Sequence, residues 1–382
     1  MRKYLLLSLV CFIIGCTQKT VTVEVIEKNS ELVSTFNIAE NLSASVLDTF
    51  TWNSIAKSTH LVPLSSKSIL GRAPKIEFLN ENLILVSESQ TQSINCYDKN
   101  GELKVLIQKV GQGPGEYKYL SSVHYSKLDS TIWIYDSGNK KILTYKLNGE
   151  FVQEKNVKDI IGRTISMIDE DGNFFTNQGG NGTDYIYQIN KDLEIVNKYF
   201  SFDTVLTIKG KAGFSLMCNR SNTKDKYLVN IPTNDTLFSI TKNGISPLVV
   251  LQKSTHNLNV DLFNNGILKL PENNDFITYS HIDLCSSLLL YRYFWQGEFF
   301  IQLWDIESNK LIGKLNLGKP ISTGNINGGF NFIFNSGKKT RLLPNYVTDN
   351  TLVFLIPAED CVGEIENVKE EDNPVLLIID LK

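Results

Sequence analysis

Short alternations of apolar and polar residues, bounded by polar turns, run along the chain and come in pairs. "INCYDKNGELKVLI" from Ile94, "ILTYKLNGEFVQEK" from Ile142, "IYQINKDLEIVNKY" from Ile186, "LFSITKNGISPLVV" from Leu237 and "IQLWDIESNKLIGKL" from Ile301 share one layout, and "LLIIDLK" from Leu376 repeats its first half. Each begins with an alternating strand whose fourth place is aromatic or aliphatic (Tyr97, Tyr145, Ile189, Ile240, Trp304, Ile379). The first five continue through a polar turn into a second strand, which is the pattern of a β-hairpin. Most copies follow another pair of strands: "IEFLNENLILVSE" from Ile76, "VHYSKLDSTIWIYD" from Val123, "ISMIDEDGNFFTNQ" from Ile165 and "YVTDNTLVFLIP" from Tyr346.

Two hairpins per copy make four strands, and the six copies start 48, 44, 51, 64 and 75 residues apart. Four-stranded units recurring every ~40 to 50 residues predict an all-β chain folded as a β-propeller. Six copies predict six blades, each a four-stranded antiparallel sheet, with loop insertions lengthening the period toward the C-terminus. The last copy is incomplete: "PVLLIIDLK" supplies the first strand of its hairpin and the chain stops at Lys382, leaving an edge of unpaired amides. "HLVPL" (60–64) has strand composition and no partner of its own, so it is expected to fill that edge and close the ring. "FNIAE" (36–40) offers one further strand.

Ahead of these repeats, Arg2 and Lys3 precede an apolar run from Leu5 to Ile14, too short to span a bilayer but suited to a signal peptide. It ends in "IIGC", which matches the lipobox of bacterial lipoproteins and makes Cys16 the expected lipidation site. The expected organisation is a leader over 1–15, a polar tether over 16–35 and a propeller over 36–382. The mature chain is then held on a membrane by acyl chains without crossing it. "TQKTVTVE" after Cys16 lacks an acidic run resembling a surface-export signal, which favours the periplasmic face of the outer membrane over the cell surface.

Loss of Arg2 and Lys3 with the leader takes the 38 basic residues to 36 against 41 acidic ones, a net charge of −5. Nucleic acid is excluded as a partner, because backbone binding needs a basic patch. The acidic run "ENVKEED" (366–372) reads as a solvated loop. Cys96, Cys218, Cys285 and Cys361 are isolated and none forms a CxxC pair, so free thiols are favoured and no zinc or other cofactor is expected.

"VGQGPGEYKYL" (110–120) resembles a phosphate-binding glycine loop, but strand-like sequence follows it where a helix is required, and no Lys-Ser or Lys-Thr pair is present. Pro114-Gly115 instead suits the centre of a type II turn. "QLWDIES" around Trp304 resembles a WD-type strand end but occurs once, so Trp304 is expected in the core. "DEDGN" (169–173) lacks the closing glutamate of a calcium loop and suits a hairpin turn. His124 and His281 fall on the expected innermost strands of two blades, where channel ligands bind in propellers, and Tyr279, on the strand of His281, could stack on a sugar.

The lipobox Cys16, the early "VPL" (62–64), "GQGPGEY" (111–117), "IPTNDTLFSI" (231–240) and the closing "NPVLLIIDL" (373–381) together resemble the six-bladed β-propeller lipoproteins abundant in Bacteroides-type bacteria, which are related to NHL-repeat propellers. The resemblance covers nearly the whole mature chain. It implies the fold and little about function, since most members are described by architecture alone. The expected role is a non-enzymatic envelope scaffold that binds a protein, peptide or glycan partner. The alternative is a lyase or hydrolase whose groups come from several blades around the central channel.

Overall fold

The computed structural model describes residues 34–157, 164–168, 171–177, 184–201, 227–230, 234–241, 244–258, 262–264, 267–268, 274–319 and 328–382. Cys16, the leader, most of the tether, Cys218 and the start of "DEDGN" lie outside them. Six four-stranded sheets form the ring of a β-propeller. The first blade spans 74–107, the second 120–156, the third 164–201 and the fifth 279–316, each a run of four consecutive antiparallel strands.

First strands sit at the hub. Leu120–Ser126 of the second blade touches both Pro74–Leu79 of the first and Thr164–Ile168 of the third, whereas the second blade's fourth strand, Phe151–Asn156, is largely exposed. Each blade buries both faces against its neighbours, so the core is divided into interblade slabs. Leu85, Ile94 and Cys96 pack on Val123, Ile134 and Tyr145 between the first and second blades, and Leu290, Ile301 and Leu303 pack on Leu352, Phe354 and Leu377 between the fifth and sixth. Trp304 is buried between the fourth and fifth, edge-on to Phe36 at 5.5 Å. Cys96, Cys285 and Cys361 are buried free thiols.

The sixth blade is completed from the other end of the chain. Its own strands are Tyr346–Val347, Thr351–Ile356 and Val375–Leu381, and Ala56–Pro63 pairs antiparallel with the last of these, Thr59 opposite Ile379 and Val62 opposite Leu376. The joint is pinned by Asn373, whose Oδ1 accepts from Leu70 N at 2.8 Å and whose Nδ2 donates to Ser65 O at 2.9 Å and Ser68 O at 2.7 Å.

The fourth blade departs from the expected antiparallel plan. Its strands Tyr227–Asn230, Thr236–Thr241 and Gly244–Gln252 are joined by Ser34–Asn37, which runs parallel to Gly244–Gln252 with Ser34 opposite Val249. Of the "FNIAE" segment only Phe36 and Asn37 lie in this strand, since Ala39–Asn41 forms a 3-10 turn, and the strand covers an edge two blades away from the closing joint and starts inside the segment expected to be tether.

Between Ser34–Asn37 and Ala56–Pro63 the chain straps the rims of the fourth, fifth and sixth blades together. Leu47 bridges to Lys314 on the fifth blade's outer strand, and Thr51 bridges to Asn331 of an added hairpin, Phe330–Ile333 with Lys339–Leu342. Trp52 Nε1 donates to Leu342 O at 3.0 Å. Phe36, Ile38, Leu42, Phe50 and Trp52 are all buried along this strap. The ammonium of buried Lys314 donates to three strap carbonyls, Asn41 O at 2.8 Å, Leu42 O at 2.5 Å and Ala44 O at 2.6 Å.

Candidate functional site

Because every innermost strand runs in the same sense, their C-terminal ends gather on one face of the disc. Three of these ends, from the sixth, first and second blades, surround a cavity of about 370 Å³. Its size lies within the range of about 300–1,000 Å³ common for small-ligand sites.

The first blade contributes Phe78, Leu79 and Asn80. A register shift between Ile76 and Phe78 interrupts the alternation of that strand, and such bulges re-aim side chains. Phe78 meets Tyr125 of the second blade, ring centroids 4.3 Å apart and planes inclined by 38°. Both rings are half-buried, one side against the interblade core and the other against the cavity. Asn80 Oδ1 accepts from Asn82 N at 2.9 Å and Leu83 N at 2.8 Å, which holds the turn and leaves the side-chain NH₂ with no acceptor among the described residues.

The second blade also supplies Lys127, whose ammonium lies 6.0 Å from the centre of the Phe78 ring and pairs with no carboxylate among the described residues. From the sixth blade come Tyr346, buried against the core beneath, and Thr348, whose hydroxyl accepts from Thr351 N at 3.0 Å within its own turn. Among the described residues no carboxylate lines the cavity. It offers ring faces, one ammonium and an amide donor.

The residues singled out in the sequence lie elsewhere. His124 does sit on an innermost strand, but it is buried and its Nε2–H donates to Ile165 O of the third blade at 2.6 Å, while Ser122 Oγ accepts from Ile165 N at 3.2 Å. That pair stitches two blades together. His281 sits on the fifth blade's innermost strand, Tyr279–Leu284, which Tyr279 opens, and its Nε2 is 3.2 Å from Asp283 Oδ1. Asp283 also takes the guanidinium of Arg292. Burial pushes the Asp283 carboxyl up, but the charges of Arg292 and His281 outweigh it and hold the group at about 2. Neither His124 nor His281 lines the cavity. Among the described residues no cluster of three or more His, Cys, Asp or Glu could hold a metal.

The glycine stretch is a joint between the first two blades. Glu116 N donates to Gly113 O at 3.1 Å, and Gly115 has φ +71°, the left-handed conformation a type II turn requires at that place. A Cβ on Gly115 would also stand 2.9 Å from the Phe151 ring. The amides a phosphate would need are taken: Gly113 N donates to Glu116 Oε2 at 2.9 Å and Gly115 N to Glu154 Oε2 at 3.1 Å. Lys141 in turn donates to Glu154 Oε2 at 2.8 Å, and that hydrogen bond holds the Glu154 carboxyl below the usual range.

Residues 33–380 match the family described as a domain of unknown function, DUF4934. The chain belongs to the DUF4934 family. Among solved structures this DUF4934 chain is similar to a Bacteroides fragilis protein assigned as exported, with 18% identity over 92% of this chain and 99% of that one and a TM-score of 0.66. It is also similar to a DUF4221 member from Bacteroides vulgatus (14% identity, 86% and 97% covered, TM-score 0.47) and to virginiamycin B lyase from Staphylococcus aureus (12% identity, 84% and 99% covered, TM-score 0.41). At 18% identity the likeness to the Bacteroides fragilis protein concerns the fold of the DUF4934 chain and nothing further. No curated protein matches it. No helix among the described residues is long and apolar enough to cross a membrane.

The cavity had a sequence signal that the hairpin reading passes over. Each contributing strand ends in an aromatic residue, one intervening residue and a polar one: Phe78-Leu79-Asn80, Tyr125-Ser126-Lys127 and Tyr346-Val347-Thr348.

Proposed function

We propose that this chain is a lipid-anchored binding module of the cell envelope that captures a ligand at the mouth of its channel and does no chemistry on it. The observation that carries the reading is the meeting of three blade ends around one cavity, where half-buried Phe78 and Tyr125 and unpaired Lys127 face the same space. A rigid ring that presents strand ends and turns to solvent suits recognition, and the lining offers contacts but no acid–base pair.

Anchoring through Cys16, with the chain held at the periplasmic face of the outer membrane, follows from the leader and lipobox and agrees with the exported assignment of the Bacteroides fragilis protein. Replacing Cys16 by Ser is expected to move the protein from the membrane fraction to the soluble one. Retention in the membrane after a high-salt wash would refute the anchor. For the site, a ligand that binds only the folded chain raises its apparent stability, so a thermal-shift screen of small polar compounds is expected to yield stabilisers whose effect disappears in Tyr125→Leu. Stabilisers indifferent to that substitution would move the site elsewhere.

One observation favours the competing reading of a propeller enzyme: Asp283 orients the His281 ring on an innermost strand, an arrangement that suits a general base. On that reading a screen for turnover would lose its signal in His281→Gln.

A further inference from the structure

We infer that the channel-mouth cavity is built for an acidic sugar ring, a hexuronate of a glycan, an assignment that rests on the reading of this cavity as the binding site. Three features of the lining converge on that class. First, the Phe78–Tyr125 pair presents an apolar surface formed by two blades rather than one. Such a surface suits the C–H face of a pyranose, which is apolar while its rim is polar. Second, the cation that bounds this surface has no counter-ion. Lys127 pairs with no carboxylate among the described residues, none of those that line the cavity is acidic, and its ammonium lies 6.0 Å from the centre of the Phe78 ring. A ligand carboxylate would supply the missing charge. Third, the NH₂ of Asn80 has no acceptor among the described residues, whereas its oxygen is fully engaged in the turn that fixes the side chain. The polar groups left to a ligand at the rim therefore include a cation and an amide donor, which match a carboxylate beside a ring hydroxyl better than they match a neutral sugar.

The volume of about 370 Å³ stands at the small end of ligand sites, which suits one or two sugar rings and not a folded partner. Preference for the acid follows from charge complementarity, because the ammonium at the rim favours a ligand of opposite charge over a neutral one of the same shape.

The test uses the detergent-solubilised full chain and isothermal titration with four probes: galacturonate, digalacturonate, galactose and N-acetyl-alanyl-alanine. Galacturonate is expected to bind at least ten-fold more tightly than galactose at low salt, and digalacturonate no more weakly than galacturonate. Lys127→Met is expected to erase that difference; Lys127 is exposed, so the variant should fold as the wild type does. Equal affinity for galactose and galacturonate in the wild type, or an acid preference that survives Lys127→Met, would overturn the ligand class while leaving the cavity as the site. Tighter binding of the peptide than of either uronate would overturn it in favour of a polypeptide carboxylate. If no sugar binds, the class falls, and the cavity reading falls with it only if the stabilisers from the thermal-shift screen are also indifferent to Tyr125→Leu.

Discussion

Replacing Lys314 by Met should loosen the strap that binds the rims of the fourth, fifth and sixth blades. The side chain is 1% exposed and donates to Asn41 O, Leu42 O and Ala44 O, while burial lowers its affinity for the proton. Methionine fills nearly the same volume but donates nothing. Asn41 O keeps a partner in Gln302 Nε2 at 3.3 Å, so two carbonyls, those of Leu42 and Ala44, lose their donor. A buried polar group left unsatisfied costs about 1–3 kcal/mol. Two such groups cost about 2–6 kcal/mol, and removal of a desolvated ammonium offsets part of this. The expected net loss is therefore about 2–4 kcal/mol, read as a lower urea midpoint at unchanged slope. Limited proteolysis should also cut within residues 43–51 of the variant sooner than in the wild type. Exposed Lys104, paired with Asp98, provides the control, since its replacement should leave the midpoint unchanged. If Lys314→Met falls within about 0.5 kcal/mol of the wild type and resists protease equally, the ammonium does not hold the strap.

Removing residues 1–33 should leave the unfolding midpoint unchanged, whereas removal through Ser54, which spares the closing strand Ala56–Pro63, also deletes buried Phe36, Ile38, Leu42, Phe50 and Trp52. At about 1.5–3 kcal/mol for each fully buried side chain, an upper bound, that loss rivals the whole stability of a typical domain; matching midpoints for the two truncations would show the strap to be dispensable. A third expectation concerns pH. Burial lowers the Lys253 ammonium from 10.5 to about 8, the charge of Asp235 opposing the shift. Between those values the unfolded chain holds a proton that the folded chain has released, so stability contributed by this site rises with pH, by at most about 1.4 kcal/mol per unit. Urea midpoints from pH 7 to 9.5 should show this rise in the wild type and its absence in Lys253→Met, and parallel curves would contradict it.

What could be read without coordinates were the properties set by neighbours in the chain. Alternation with a period of two and turn residues at the reversals define hairpins locally, and counting them yields the blades. The strand over 375–381 lacked a legible hairpin partner beside it, and residues near 60 were the unpaired candidate. The turn at Gly115 was legible for the same reason, because the positive φ is a property of one residue.

Tertiary structure decided what depends on groups brought together from distant parts of the chain. Lys314 looks like any surface lysine on an outer strand, and only the return of residues 41–44 across it shows that it is buried. A strand near residue 36 was legible, though expected over 36–40 and found over Ser34–Asn37, but neither its parallel pairing nor its host blade was, because an exposed sheet edge will accept either direction. The histidines were placed on the right strands, yet strand position does not fix what a side chain faces. His124 turns into the interface with Ile165, while a bulge at Phe78, invisible in the alternation, directs that ring to Tyr125. The cavity at the channel mouth belongs to no single blade: it exists because ring closure sets residues 78–80, 125–127 and 346–348 side by side, and closure joins strands more than 300 positions apart.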